Sequence, residues 1–390
     1  MKKFKGSMTT QILIAMVIGI GLGIIFGDKI AGIKILGDIF LRLIQMSVVL
    51  LVMGAVIESV GHLDTGELGR LGGKMFFLFM LSTLVAAALG IFLGEIFIPG
   101  ADIHLIAETT AEVHNTMNIH DIVLDFFPTN IMEAMMKGSM IQVIVFSLLF
   151  GIALSAWCKQ KGDTMCGFFG VLQDFNGIIL KMVGIIMTLA PIGIGALLAY
   201  TTGTIGIQVI LPLVKFLGVL ALGTIIHLSV LIVAVSLYCF TNPLRVSKKL
   251  ANMTIVAFTT TSSVIALPVK MADSEKKLGV SKKISDLVNP LGMTLNSNGL
   301  AIFLSLSCLT IAQIYGIDLT ATALIKVVVI STLSCLGTVV VPGGGLVALT
   351  MVIPSLGLPL ESIALLSGID WFSGMFRTVL NVDIDALVAM

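Results

Sequence analysis

The feature that most constrains this chain is a row of polar residues inside its last apolar stretch, Leu360 to Met390. At about 100° per residue along a helix, the row occupies one arc roughly 100° wide. Its members are Asp370, Gly374, Arg377, Thr378, Asn381 and Asp385. The same period places Glu361 and Asp383 on the opposite side. The row predicts a binding site, and the alternative is a structural Asp–Arg pair that locks two helices together.

The composition identifies the surroundings of this row. The chain has 390 residues, of which 57% are hydrophobic and only 12% are charged, against about 25% charged in soluble domains. It is therefore a polytopic membrane protein. An ionisable side chain at bilayer depth costs about 2.5–3.5 kcal/mol, so such groups face a protein interior or a water-filled site. No basic cluster with interleaved aromatic residues suggests nucleic-acid binding, and the five scattered cysteines resemble small buried hydrophobes rather than metal ligands.

Apolar runs of about 20 residues predict eight full crossings of the membrane. These lie near residues 8–27, 38–60, 73–98, 129–157, 168–200, 208–241, 286–314 and 360–388. Two further stretches, 251–270 and 325–356, are broken by Pro268 and by Pro342-Gly343-Gly344-Gly345, and we predict that each is a re-entrant hairpin. Most short loops rich in Lys and Arg fall on one side of this topology, which makes that side, with both termini, cytoplasmic.

The C-terminal part of the chain repeats one plan. The hairpin with Thr259-Thr260-Thr261-Ser262-Ser263 precedes a span interrupted at Asn296-Ser297-Asn298-Gly299. The second hairpin precedes the span that carries Arg377 and Asn381. Transporters built from structural repeats have such broken helices, whose carbonyl groups and helix termini surround a site near the membrane midplane.

Several short motifs in a fixed order carry a resemblance to a known family. They are Pro128-Thr129-Asn130, Ala190-Pro191-Ile192-Gly193, Ala199-Tyr200, Ala266-Leu267-Pro268, Pro290-Leu291-Gly292, Val341-Pro342-Gly343 and Arg377-Thr378 with Asn381-Val382 and Asp385. Over nearly its whole length the chain resembles the dicarboxylate/amino acid:cation symporters, which include the archaeal aspartate transporter and the excitatory amino acid carriers. The resemblance implies an all-α integral membrane fold with inverted repeats, about eight transmembrane helices and two re-entrant hairpins.

The resemblance also implies site residues. Two hairpin tips would act as gates that hold the substrate. The first contains Ser262 and Ser263, and the second runs from Val341 through Gly343 to Gly345. Arg377 would pair with a substrate carboxylate, Asp370 would orient Arg377, and Thr378 and Asn381 would add contacts.

Two sodium sites are implied in the same way, and oxygen ligands of this kind suit a hard cation. The first comprises the carbonyl groups of Gly292, Asn296 and Asn381 with the carboxylate of Asp385. The second comprises oxygens of Thr294, Cys335, Leu336 and Thr338, beneath the second gate.

The chain departs from the family pattern at three positions. Asn298 replaces an aspartate, so a third cation site, with Ser82 and Thr83 as partners, loses its charge. Leu300 replaces a threonine that helps to hold the distal carboxylate of the substrate. Gly374 stands where amino-acid carriers have an aspartate that binds the amino group of the substrate. A buried ammonium without a counter-charge is costly, so we expect a substrate without an α-amino group, such as a C4 dicarboxylate.

These observations predict a symporter in the cell (inner) membrane that couples a cation gradient to uptake of a small carboxylate. Sodium is the expected ion and the proton is the alternative, without an organic cofactor. A carrier of an acidic or a bulkier neutral amino acid is the alternative within the class, and an anion-conducting channel is the alternative from another class. Ser262 and Ser263 lack a neighbouring histidine and a GxSxG turn, so an enzyme is not expected.

The resemblance further implies a homotrimer, embedded in lipid, that moves like an elevator. Residues 1–250 would form mainly the scaffold, with the third and sixth spans joining the transport unit. Residues 251–390 would form the transport core. His227, in the sixth span, is either a proton relay or a hydrogen-bonded interior histidine.

Overall fold

A computed structural model describes residues 8–61, 67–101, 124, 127–162, 167–206, 210–337 and 344–390. The described residues form helices and short connections, without a strand. The helices of the first part of the chain are α1 (Met8–Phe26), α2 (Lys34–Gly61), α3 (Glu67–Phe97), α4 (Ile131–Lys137), α5 (Met140–Gln160), α6 (Gly167–Met187), α7 (Ala190–Ile205) and α8 (Ile210–Tyr238). A 3₁₀ segment, Gly27–Ile33, joins α1 to α2.

Most helices of the second part are shorter than the long helices of the first part. They are α9 (Pro243–Thr260), α10 (Ser263–Asp273), α11 (Lys282–Leu295), α12 (Asn298–Ile314), α13 (Ala321–Ser334), α14 (Gly344–Ser355), α15 (Ile363–Ser367) and α16 (Asp370–Ala389). The all-helical fold predicted from the sequence is confirmed.

Six helical stretches of the described chain are long and apolar enough to cross a membrane. They are Ile14–Leu43, Leu71–Phe97, Gln142–Gln160, Gly167–Ile186, Leu211–Tyr238 and Lys282–Ile314. Many apolar side chains on these helices are exposed, such as Phe77 at 64% and Leu237 at 70%, as lipid-facing residues are. The eight predicted crossings also included the last helix, which carries Asp370, Arg377, Asp383 and Asp385 and so is too polar to be recognised by hydropathy.

Three predicted spans are divided in the structure. The span 129–157 is split between α4 and α5 at Gly138, which has a left-handed φ of 65° that favours glycine. The span 168–200 is split between α6 and α7, and Pro191 occupies the first turn of α7, where its missing N–H costs nothing. The expected continuous helix from Leu360 is also wrong, because the chain forms Leu360–Ser362, α15 and then α16, which begins at Asp370.

The two predicted hairpins correspond to α9–α10 and α13–α14. The first turns at Thr261, whose backbone is left-handed with φ 50°, and at Ser262. The prediction that Pro268 breaks this stretch is wrong, because Pro268 lies inside α10. The arms of the second hairpin contact each other, and the tip, residues 338–343, lies outside the described residues.

Helix α12 is the centre of the packing. All of its residues except Gln313 are buried, and it contacts α3, α8, α13, α14 and α16. The Gln313 amide joins the end of α12 to the end of α3, donating to the Gly94 carbonyl at 3.0 Å and accepting from the Gly100 N–H at 3.1 Å. Helix α3 therefore packs with the C-terminal helices, although it lies far from them in sequence.

A second group of helices packs around α7, which contacts α1, α2 and α15. Glycines allow α1 and α7 to approach closely. A Cβ on Gly23 would lie 2.7 Å from the Ala199 carbonyl oxygen and 2.9 Å from the Gly203 nitrogen. These are backbone atoms, which cannot move aside as the end of a side chain can.

The substitution Gly23→Leu should therefore destabilise the protein by forcing α1 away from α7. Overpacking of this kind costs about 1–3 kcal/mol, and we expect the Tm of the detergent-purified protein to fall by several degrees. Gly21→Leu is the matched control, because nothing lies within 4 Å of a Cβ at that position. Equal unfolding temperatures for the two variants would show that the close packing of α1 on α7 is not present.

Candidate functional site

The site is built around the break between α11 and α12. Asn296 has extended backbone angles, with φ −105° and ψ 120°, so α11 ends there and α12 begins anew at Asn298. The Asn296 side chain crosses to α16, where its Nδ2 donates to the Asn381 carbonyl at 3.0 Å and to Asp385 Oδ1 at 2.7 Å. The predicted interruption of this span is thereby confirmed, and it faces the polar row of the last helix.

The guanidinium of Arg377 belongs to the same polar row. Its Nη2 donates to Asp370 Oδ1 at 2.8 Å and to the Asp370 carbonyl at 3.0 Å. The guanidinium carbon lies 4.5 Å from the centre of the Phe303 ring, which is a favourable cation–π arrangement. Arg377 is 9% exposed, and its Nε has no hydrogen-bond partner among the described residues. A donor of this cation is thus buried and available.

Glycines allow other backbone segments to approach Arg377. A Cβ on Gly345, at the start of α14, would overlap the guanidinium. A Cβ on Gly299, at the start of α12, would overlap the backbone of Arg377 itself. The Gly299 N–H also donates to Asn381 Oδ1 at 2.9 Å. The predicted residues Gly345, Arg377 and Asn381 are therefore brought together, and Gly374 faces Arg377, with its hypothetical Cβ 3.4 Å from Nη2.

Asn298 lies in a buried cluster of neutral polar groups. Its Nδ2 donates to Ser82 Oγ at 3.0 Å and to Asn296 Oδ1, and its Oδ1 lies 3.0 Å from His227 Nε2. His227 is thus a hydrogen-bonded interior histidine. Thr83 is fully buried beside Ser82, and its hydroxyl has no partner among the described residues. The predicted grouping of Asn298 with Ser82 is present in the structure, and Asn296 connects these neutral groups to the Asp385 carboxylate.

Lys270, on α10, was not among the residues predicted from the sequence. It is fully buried, and its Nζ forms an ion pair with Asp385 Oδ2 and donates to the Asn289 carbonyl at 2.9 Å. The rule that drew attention to Arg377, that a charge at bilayer depth needs a reason, applies equally to this lysine. Its position in the return arm of a hairpin was the signal that could have identified it.

Asp383 lies on the opposite face of α16, as the helical period predicted. It is fully buried, and its Oδ2 accepts a hydrogen bond from Thr254 Oγ1 on α9 at 2.8 Å. The side chain of Glu361, which was placed on the same side, is outside the described set.

The remaining predicted residues lie apart from these contacts or beyond the described chain. Ser262 Oγ caps α10 by accepting from the Ile265 N–H at 3.4 Å, and Ser263, Leu300, Leu336 and Thr378 are buried. Cys335 Sγ lies 3.4 Å from the Ser297 carbonyl oxygen, and Thr294 Oγ1 donates to the Leu291 carbonyl at 2.9 Å. Thr338, Val341 and Gly343 lie outside the described residues. The roles assigned to all of these residues stay predictions.

We expect Asn298→Leu to lower the Tm by roughly 5 °C or more, because it leaves buried partners unsatisfied at about 1–3 kcal/mol each. The measurement is thermal unfolding in detergent of this variant, His227→Leu and the double variant. Because the two residues are bonded, the double variant should be less destabilised than the sum of the single variants. Strict additivity would mean that the bond between Asn298 and His227 is not formed.

The sequence of the chain is similar to those of a known group of proteins. The profile of the sodium:dicarboxylate symporter family matches residues 8–390. The chain is 33% identical to a proton/glutamate-aspartate symporter of Bacillus subtilis (strain 168), over 95% of this chain and 91% of that protein. It is 32% identical to a proton/sodium-glutamate symport protein of Bacillus caldotenax, over 99% of this chain and 94% of that protein. It is 30% identical to a C4-dicarboxylate transport protein of Bacillus subtilis (strain 168), over 98% of this chain and 91% of that protein. The chain belongs to the sodium:dicarboxylate symporter family.

Proposed function

We propose that this multi-pass membrane protein, a cation-coupled carboxylate transporter and not an enzyme, takes up a small dicarboxylate that lacks an α-amino group. The proposal keeps the binding roles predicted for Ser262, Ser263, Arg377, Thr378 and Asn381. The single observation that carries it is the absence of a side chain at Gly374 beside the Arg377 guanidinium.

Arg377 supports the recognition of an anion. Its Nη2 is engaged by Asp370, while its buried Nε has no partner among the residues described. Charge-assisted hydrogen bonds from a guanidinium to a carboxylate are among the strongest that proteins form. The Phe303 ring behind the guanidinium limits its movement. A substrate carboxylate that reaches this donor would therefore bind in a fixed orientation.

Gly374 supports the absence of an amino group from the substrate. A buried ammonium needs an opposite charge or it incurs a large desolvation cost. The carboxylate of Asp370 is already paired with Arg377, and Asp385 is already paired with Lys270. Both carboxylates are thus already compensated, and an ammonium beside either one would add an uncompensated positive charge.

The second candidate is a carrier of an acidic amino acid. The relatives named above divide between glutamate or aspartate and C4 dicarboxylates, so their names favour neither substrate. An amino-acid site would depend on the buried carboxylate of Asp370. This carboxylate is bonded to Arg377 Nη2, the same atom that lies next to Gly374.

The proposed mechanism is alternating access of the elevator type in a homotrimer of the cell membrane, with both termini cytoplasmic. Helices α9 to α16, with α3 and α8, would move together against α1, α2 and α4 to α7. The contacts of α12 with α3 and α8 support this grouping. Closure of the second hairpin over bound substrate would precede the movement.

Uptake into proteoliposomes tests the substrate. We expect labelled succinate and malate to accumulate under an inward cation gradient, and aspartate to compete at least about tenfold less well, since one unpaired buried charge exceeds the 1.4 kcal/mol that a factor of ten requires. Sodium and proton gradients should be applied separately, because the coupling ion is itself a proposal. Strong aspartate uptake without dicarboxylate uptake would refute the assignment.

Two variants control this experiment. Arg377→Gln should lose uptake, but it also leaves the Asp370 carboxylate unpaired. Arg377→Gln/Asp370→Asn removes that charge and should lose uptake as well. A double variant that is stably folded but transports normally would contradict the role assigned to Arg377.

Gly374→Asp should move the preference of the protein towards amino acids. The new carboxylate would supply the missing counter-charge for an ammonium and would repel a second substrate anion. We expect the ratio of aspartate to succinate uptake to rise at least about tenfold. Gly374→Asn has the same shape without the charge and should leave the ratio nearly unchanged. Equal effects of the two substitutions would indicate that size, not charge, determines the preference at this position.

A further inference from the structure

One of the predicted sodium sites contains a cationic side chain of the protein itself. This site was expected to comprise the carbonyl groups of Gly292, Asn296 and Asn381 with the carboxylate of Asp385. In the structure, the Lys270 ammonium forms an ion pair with that carboxylate, and the lysine side chain is fully buried. Lys270 reaches it from α10, the return arm of the first hairpin.

Four of the five oxygen atoms of the site, all but the Asn296 carbonyl, accept hydrogen bonds in the structure. Asp385 Oδ2 accepts from Lys270 Nζ, and Asp385 Oδ1 accepts from Asn296 Nδ2 at 2.7 Å. The Asn381 carbonyl accepts from the same amide at 3.0 Å, and the Gly292 carbonyl accepts from the Asn296 N–H at 2.7 Å. A sodium ion needs several free oxygen ligands, so this arrangement does not fit one.

The charges lead to the same result. A buried carboxylate is stable when one positive charge compensates it, and Lys270 supplies that charge through a covalent bond to the chain. An additional monovalent cation would bring an uncompensated positive charge to a dry site. The neighbouring predicted site offers no relief, because Asn298 contributes an amide where the resembled family has a carboxylate.

We propose that the Lys270 ammonium is the permanent cation of this site, so that the transport cycle takes up no sodium ion beside Asp385. Lys270 would then influence which cations drive transport, because it keeps sodium away from Asp385. A short neutral side chain at position 270 would expose the oxygen ligands and open the site to sodium. The inference rests on the proposed transport function for its bearing on coupling, but its test requires neither substrate nor transport.

The test measures stabilisation by sodium in the full-length protein. Thermal unfolding in detergent is recorded for the wild type and for Lys270→Thr, each in 100 mM sodium chloride and in 100 mM choline chloride. Because an ion that binds only the folded state raises the Tm, Lys270→Thr should show a sodium-specific increase at least about 3 °C larger than that of the wild type. Comparing the increases cancels any sodium bound at the other predicted site.

The matched control is Lys270→Thr/Asp385→Asn, which also removes the anionic ligand. Its sodium-specific increase should return to the wild-type value. Equal increases in the wild type and in Lys270→Thr, or an increase that survives in the double variant, would overturn the proposal.

A second measurement needs no variant and decides the matter even if Lys270→Thr does not fold. Crystals of the wild-type protein are soaked with thallium(I), a monovalent cation that is located by its anomalous scattering. We expect no thallium peak in contact with the Asp385 carboxylate and an intact bond from Lys270. A peak at that carboxylate with Lys270 displaced would refute the proposal. Failure of dicarboxylate uptake would refute the proposed function without affecting either result.

Discussion

The structure depends on the neutralisation of charge in a buried, water-poor interior. Arg377 is compensated by Asp370 within α16, and Lys270 compensates Asp385 between α10 and α16. Breaking such a pair by removing one partner costs about 3–5 kcal/mol, because the other charge is left buried. The helices that carry these groups are therefore held in one relative position, and the interruption between α11 and α12 provides the backbone groups and amides that complete the network.

Much of this arrangement follows from the sequence. The apolar runs predict the helices, and the polar row at period 3.6 predicts which face of α16 meets Asn296 and which face carries Asp383. The divisions of the long spans were harder to predict. At Gly138 and before Pro191, hydropathy continues through the break, so only the local backbone preferences of glycine and proline reveal it. Pro268 shows the opposite error, since a proline is not sufficient to end a helix that is packed on its neighbours.

The site was predictable where one helix carries the pattern and not where distant segments meet. The alignment of Asp370, Arg377, Asn381 and Asp385 is a property of α16 alone. The pairing of Lys270 with Asp385 joins residues 115 positions apart, and no local period encodes it. The bond between Asn298 and His227 likewise depends on how α8 packs against α12. The sequence thus indicates which residues need partners, and the tertiary fold determines which partners they find.

The position of Lys270 has a consequence for the first hairpin. Its ammonium is bonded to α16 through Asp385 and to α11 through the Asn289 carbonyl, so the return arm of that hairpin is anchored to two other helices at once. Moving the arm away would separate the Lys270 ammonium from the Asp385 carboxylate and leave both charges buried without a partner. The return arm of the first hairpin is thus tied to α11 and α16, and moving it away from them requires both of these bonds to break.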